Sequence, residues 1–283
     1  MNKPILSFVE IMVTQACNIS CHGCTNYSDL SHAGYLTWEQ GKKQIEPWLD
    51  RVEILDFGIL GGEPLINPDI RNWIVGLREL LPNAQIRFTT NGLLLEKHYD
   101  VVQLLSDIGN SVFKITMHTN TTSVEKIIEK ISAEYDWELV TEHGINRMKT
   151  KNNFRFQVNR PKVFIKSYVG TYPDIKPHHN NPVESFAICN QQMCPLMYNG
   201  KIYKCSTSGL LEDTLRRFNN PNFDLWRNYI PQGLLPTCSD DDLHIFLDDF
   251  GNPNAICGQC PSNKDTSSHV NHLTHVTMKK NWI

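Results

Sequence analysis

The chain has 283 residues, 40% of them hydrophobic, and a formal net charge of -3. That length accommodates one large domain, or one domain with a smaller appendage. Acidic and basic residues are mixed, and the lack of a Lys/Arg run argues against nucleic acid or an anionic membrane as partner. No apolar run approaches the ~20 residues needed to span a bilayer, and the first residues lack the parts of a signal peptide, so a cytoplasmic location is expected.

Residues 9–14 (VEIMVT) read as a buried strand. Thr37-Trp38-Glu39-Gln40 has the form of a capping box and predicts a helix to about Leu49. Residues 52–60 (VEILDFGIL) form the next strand. Asn67-Pro68 then supplies an N-cap and a first-turn proline for a helix whose apolar face holds Ile70, Trp73, Ile74 and Leu77. A strand at 85–90 precedes a helix marked by Val101, Leu104, Leu105 and Ile108. A strand at 111–118 precedes another marked by Val124, Ile127, Ile128 and Ile131. Strict alternation with short connections implies right-handed crossovers and a parallel sheet.

After residue 136 the pattern weakens. Residues 137–145 and either 154–158 or 162–169 supply a fifth and sixth strand, with a short or absent helix between them. The Pro-, Asn- and His-rich stretch around 170–185 marks a boundary. The expected architecture is α/β: a partial (β/α)6 TIM-like barrel over residues 1–170, then a small cysteine-rich α+β unit over 171–283, held by a cofactor more than by a large core.

Nine cysteines fall in two groups, with none between residues 25 and 188. A disulfide scaffold would be shorter and would distribute its pairs. Clustered thiols point to metal or redox chemistry. Cys17, Cys21 and Cys24 follow the first strand with C-x3-C-x2-C spacing. Gly61-Gly62-Glu63-Pro64 follows the second strand, Thr89-Thr90-Asn91-Gly92 the third, and His118-Thr119-Asn120 the fourth. The C-terminal ends of parallel strands form the active-site rim of such barrels, so four successive strands deliver unusual residues to one place. Three thiolates can hold three irons of a cubane cluster and leave the fourth iron open to a ligand. Zinc also suits thiolates and would take a fourth ligand such as His22.

C-x3-C-x2-C after the first strand, with GGEP after the second, resembles the radical S-adenosylmethionine (SAM) enzymes over about residues 7–135. The resemblance implies a [4Fe–4S] cluster on Cys17, Cys21 and Cys24 whose open iron chelates SAM. It implies that Gly61, Gly62 and Glu63, with Pro64, orient the methionine amino group, glycines allowing close backbone approach and a carboxylate suiting an ammonium. Thr90 and Asn91 would contact the ribose, and His118 would touch SAM or substrate. The family's bulky residue before the third cysteine is replaced by Gly23, so adenine packing must come from elsewhere, Tyr27 or a later strand.

Cys189-x10-Gly200-x4-Cys205 resembles the opening of the SPASM and twitch extensions of that family, and residues 198–205 read as a hairpin with Asn-Gly at its turn. With Cys257-x2-Cys260, the pattern is that of the one-cluster twitch form. The resemblance implies an auxiliary [4Fe–4S] cluster on Cys189, Cys205, Cys257 and Cys260, with Cys194 a rival ligand, Cys238 a bystander, and a zinc knuckle the alternative.

The implied activity is reductive cleavage of SAM to a 5′-deoxyadenosyl radical, then hydrogen abstraction from substrate, in a net oxidation or modification of a sugar- or cyclitol-type small molecule. A flavodoxin or ferredoxin would donate the electron. Two rivals stand: a maturase of ribosomal peptides, and a non-catalytic metal-binding protein. No acid or base is assigned; Arg155, Lys166, Tyr168, His178 and His179 are read as solvated or structural, with a substrate role as the alternative.

Overall fold

A computed structural model describes residues 3–21, 23–30, 32–118, 121–142, 145–161, 163–262, 269–271 and 276–278. Its centre is a nine-stranded sheet. Six neighbouring strands run parallel, in the order Leu196–Tyr198, Val9–Met12, Asp56–Leu60, Gln85–Thr90, Ser111–Thr116 and Phe154–Asn159. Helices Trp38–Leu49, Ile70–Leu80 and Asp100–Ile108 follow the strands as expected, and Thr122–Glu134 follows the strand at 111–116. This is the α/β partial barrel that the alternation predicts.

Alternate strand residues face the helices and form the main core. Val9, Ile11, Phe57, Ile59, Ile86, Phe88, Phe113, Ile115, Phe154 and Phe156 are all buried there. Parallel register aligns Phe88, Phe113 and Phe156 across three strands, and their rings stack with centroids 6.0 and 6.1 Å apart.

The capping box forms: Thr37 Oγ1 accepts the Gln40 amide, and Gln40 Oε1 accepts the Thr37 amide. The first two helices then interlock through glycines. A Cβ on Gly41 would lie 1.9 Å from the Trp73 ring, and one on Gly76 would lie 2.2 Å from the Trp38 ring. Each helix thus opens a gap for the other's tryptophan, and the two indoles meet edge to face at 5.4 Å.

Four local expectations change. The helix expected to be capped by Asn67 starts at Ile70, with Asp69 at the cap position. Asn67 is fully buried, and its Nδ2 donates to Val13 O and Leu36 O, which ties the first strand's exit to the next helix's entry. The strand expected over 52–60 breaks at Leu55: Glu53–Ile54 pairs with Ile5–Leu6 in a separate ribbon. The strand expected over 137–145 is Glu138–Glu142, which forms an antiparallel hairpin with Ile145–Lys149 at the sheet edge, because a two-residue connection cannot make a parallel crossover. Finally, the 162–169 segment supplies no sixth barrel strand. Val163–Ile165 pairs instead with His269–Asn271, and the sixth parallel strand is Leu196–Tyr198, beside the first.

The Asn-Gly hairpin is present. Asn199 and Gly200 have φ of 51° and 75°, as a tight primed turn requires, and they join Leu196–Tyr198 to Lys201–Tyr203.

Candidate active site

The cysteine loop is placed by backbone contacts. After Thr14 the chain leaves the sheet, and the Gly62 and Glu63 amides donate to Thr14 O at 2.8 Å and Ala16 O at 2.9 Å. A Cβ on Gly62 would sit 2.4 Å from Ala16 O, so only glycine lets the two loops lie this close. Strand Ile19–Cys21 within the cysteine loop pairs antiparallel with Val276–Met278. Gly23, with φ of 84°, turns the chain so that Cys24 follows. His22, the fourth ligand of the zinc alternative, lies outside the described residues, as do Thr119 and Asn120.

Cys17 and Cys21 are buried and Cys24 is half-buried, and all three line one cavity of about 620 Å³. Gly61, Gly62, Thr90, Asn91 and His118 line it too, as do Cys189, Cys194, Cys205 and Cys260. The two cysteine groups therefore open onto one chamber. They are stapled together through Thr25: its Oγ1 accepts from Gln191 Nε2 at 3.1 Å, and its carbonyl accepts from Thr207 Oγ1 at 3.3 Å.

Glu63 departs from the expectation of a carboxylate reaching toward a ligand amine. It is fully buried, and both its oxygens accept from the protein: Thr90 Oγ1 at 2.7 Å, the Leu65 amide at 3.1 Å and the Asn91 amide at 2.8 Å. Burial pushes its carboxyl up to about 7 against the pull of those donors. Pro64 is buried as the first residue of the short helix that Glu63 caps. Tyr27 also departs: it is fully buried, donates to Thr207 O at 3.0 Å and stacks on Tyr168. It is a pillar between the two halves, not an adenine platform.

Asn91 reaches the first cysteine. Its Nδ2 donates to Asn18 Oδ1 at 2.7 Å and lies 4.0 Å from Cys17 Sγ. Asn18 is 1% exposed, and its own Nδ2 has no partner among the described residues. A buried amide donor left unmatched beside a cysteine sulfur fits a site built around an acceptor-rich group.

In the second group, the charges of Cys205, Cys189 and Cys257 each push the Cys260 thiol up, after burial as the main cause. Cys257-x2-Cys260 forms a tight turn, with the Cys260 amide donating to Cys257 O. Cys189 and Cys194 are pushed up to about 11 and about 12, mainly by burial. Cys194 differs in its surroundings. After burial, its influences are Glu10, Lys114, Cys189 and Arg87, and it faces the barrel interior. Cys238 lies elsewhere, against the Arg51 guanidinium. Among the described residues no three His, Cys, Asp or Glu side chains converge on a point as a mononuclear ion would require; a polynuclear cluster sets its thiolates on separate metal atoms.

The residues read as structural make structural bonds. Lys166 Nζ donates to Gly170 O, His178 Nε2 meets Lys166 O at 3.1 Å, and His179 Nδ1 meets Tyr229 OH at 3.0 Å.

The sequence reading missed the cavity's floor. Glu10, Asp56, Arg87 and Lys114 come from four adjacent parallel strands and line the same cavity with Phe8. Arg87 pairs with Asp56. A parallel sheet covered on both faces is normally apolar on both. Here the face away from the helices is charged, which marks it as the wall of a chamber. The signal was present as period-two alternation in Gln85–Thr90, where Gln85, Arg87 and Thr89 alternate with apolar residues, and as single charged residues set among apolar ones in Val9–Met12 (Glu10) and Ser111–Thr116 (Lys114).

The Radical SAM superfamily model matches residues 11–152, half of the chain. The chain belongs to that superfamily of enzymes, which use a [4Fe–4S] cluster and SAM. The GTP 3′,8-cyclase of Campylobacter fetus subsp. fetus is 26% identical over 166 residues, which cover 58% of this chain and 48% of that protein. The GTP 3′,8-cyclase of Rhodopirellula baltica is 33% identical over 93 residues, 32% and 26% of the two chains. This chain thus spans about half the length, or less, of these curated relatives. Among solved structures, BtrN in complex with AdoMet and 2-DOIA is 17% identical with a TM-score of 0.49, over 92% of this chain and 94% of that one. Streptococcus suis SuiB bound to S-adenosylmethionine is 22% identical with a TM-score of 0.34, over 42% and 26%. Among the described residues no helix is long and apolar enough to cross a membrane.

Proposed function

We propose that this enzyme reductively cleaves SAM and abstracts hydrogen from a sugar- or cyclitol-type small molecule, in a net oxidation or modification. The observation that carries the reading is the single chamber, with Cys17, Cys21 and Cys24 at its rim, the second cysteine group beside them and a charged floor. Cys17, Cys21 and Cys24 hold the cluster that binds SAM. Cys189, Cys205, Cys257 and Cys260 hold a second [4Fe–4S] cluster. Cys194 is left out because its neighbours are Glu10, Lys114 and Arg87, with only Cys189 among the thiols. When bound, SAM and its cluster supply a radical able to remove a hydrogen atom from an unactivated C–H bond.

The chain's own residues shape the chamber for that chemistry. The Gly62 and Glu63 amides fix the loop that carries Cys17. Asn91, held by Glu63, aims its amide at Asn18 and the Cys17 sulfur. The thiols bind metal as thiolates, and burial raises Cys24 to about 11, so loading releases protons and is favoured by higher pH. The division at residue 170 belongs to this reading, with the 196–203 hairpin as the seam where the later segment joins the barrel sheet. A flavodoxin or ferredoxin supplies the electron.

Anaerobic reconstitution with iron and sulfide counting tests the assignment. The parent should carry about eight irons and the Cys17/Cys21/Cys24→Ala variant about four. Reductant should release 5′-deoxyadenosine from SAM with the parent alone. Absence of that product from a parent with full iron content would sink the proposal.

A further inference from the structure

The floor of the chamber holds a carboxyl and an ammonium set apart. Glu10 stands on Val9–Met12 and Lys114 on Ser111–Thr116, and both line the cavity. Each influences the other electrostatically, yet among the described residues no hydrogen bond or ion pair joins them. Arg87 and Asp56, between them in strand order, pair with each other. Gly58 lies opposite Glu10 in the register. A Cβ there would lie 3.0 Å from Glu10 Cβ and 3.2 Å from the Phe8 ring. This glycine has no positive φ to explain it; what it provides is room for the Glu10 stem and the Phe8 ring to lie against the strand.

We propose that this stretch of the chamber floor is the substrate-recognition subsite and that it takes a polyhydroxylated ring, one hydroxyl bonding to Glu10 and another accepting from Lys114. The inference rests on the function proposed above and narrows its substrate class. Asp56 and Arg87 pair with each other, so what the floor offers a ligand is one carboxyl and one ammonium. A ring hydroxyl both donates and accepts, so the hydroxyls of one ring can serve a carboxyl and an ammonium together. Phe8 gives the apolar C–H face of such a ring a surface to lie on. Burial pushes the Glu10 carboxyl up to about 8 despite the opposing pull of Lys114 and Arg87, so a ligand hydroxyl meets an acid readily switched between its two forms. The subsite determines which molecule is held and how it is turned.

The test is saturation-transfer NMR on the reconstituted holoprotein with SAM, using monosaccharides, aminosugars and inositols as probes and GTP and trialanine as counter-probes. At least one neutral polyol should bind the parent. Glu10→Gln and Lys114→Met should each weaken it about tenfold or more, the usual worth of a hydrogen bond to a charged group. Gly58→Ala should weaken it while leaving both charges in place, and melting curves will show that each variant is folded. Binding of GTP or trialanine alone, no polyol binding, or polyol binding unaffected in all three variants overturns the inference. Release of 5′-deoxyadenosine by the parent, measured in parallel, reports the proposed function separately. If it persists while the polyol results fail, only the subsite is lost.

Discussion

The Asn91 amide donates to the Glu63 carboxylate at 2.8 Å, across two neighbouring strand ends of the barrel rim. With Thr90 Oγ1 and the Leu65 amide on the same carboxylate, one acid side chain fixes the loops after two successive strands. Glu63→Ala strands these buried donors and should cost about 1–3 kcal/mol per unmatched group. Glu63→Gln should cost less, since one acceptor oxygen survives. Denaturant unfolding of the parent and both variants measures the order; equal stability of all three would refute the bracing role.

The raised carboxyls predict a pH dependence. Glu63 at about 7 and Glu10 at about 8 hold protons in the folded chain that the unfolded chain releases from about 4.5 upward. Their contribution to stability is therefore greatest in acid and is lost as pH rises through the folded values. His98 and His178, lowered chiefly by burial, act in the opposite sense. The clean measurement is a difference: between pH 5 and 8 the melting temperature of Glu10→Gln/Glu63→Gln should climb more, or fall less, than that of the parent. Parallel profiles would contradict the assignment.

Gly62→Ala places a methyl carbon where Ala16 O already stands, 2.4 Å from the Cβ position. Backbone cannot yield as a flexible side chain would, so stability should fall by about 1–3 kcal/mol. Because the displaced segment leads directly to Cys17, iron incorporation at the first site should fall with it, as read by iron counting.

The interlocked helices give a prediction against propensity. Alanine is about 1 kcal/mol better than glycine inside a helix, yet Gly41→Ala and Gly76→Ala should each destabilise the protein, because the new methyl collides with an indole packed at the helix interface, Trp73 buried and Trp38 half-buried. Thermal melts showing a gain in either variant would mean that the tryptophans have room to shift.

Cys194→Ser and Cys238→Ser should keep about eight irons after reconstitution, whereas Cys260→Ser should lose the second cluster and fall toward four. Loss of iron in Cys194→Ser with retention in Cys260→Ser would reverse the ligand assignment.

Much of the barrel was legible because local signals and tertiary fold agree. The capping box at Thr37, the helical faces and the strands at 85–90 and 111–116 each obey a short-range rule that packing then reinforces. The cysteine loop and GGEP could be placed on one rim because strand ends are fixed by alternation. What escaped was non-local. Nothing near residue 196 announces that Leu196–Tyr198 will pair beside Val9–Met12, and nothing near Asn67 says that its amide will bridge Val13 and Leu36 instead of capping a helix. The GGEP motif marks Glu63 as a ligand group and says nothing of its bracing partners, because Thr90 and Asn91 are brought to it by a strand more than twenty residues later. The charged floor was visible as alternation in strands such as QIRFTT, but a parallel strand is expected to be apolar on both sides, and that expectation masked it.

The cysteine loop at residues 17–24 and its clasp at 276–278 stand at opposite ends of the sequence. During synthesis at about 5–20 residues per second, the three thiols of this loop emerge earlier and wait on the order of tens of seconds before the segment that pairs with Ile19–Cys21 has been made. The strand that flanks Val9–Met12 is likewise late, arriving with Leu196–Tyr198. Until both segments have been made, the nascent barrel exposes an unpaired flank and three uncovered sulfurs, so iron delivered after that point meets a finished receptacle, while oxygen met before it finds one with no cover.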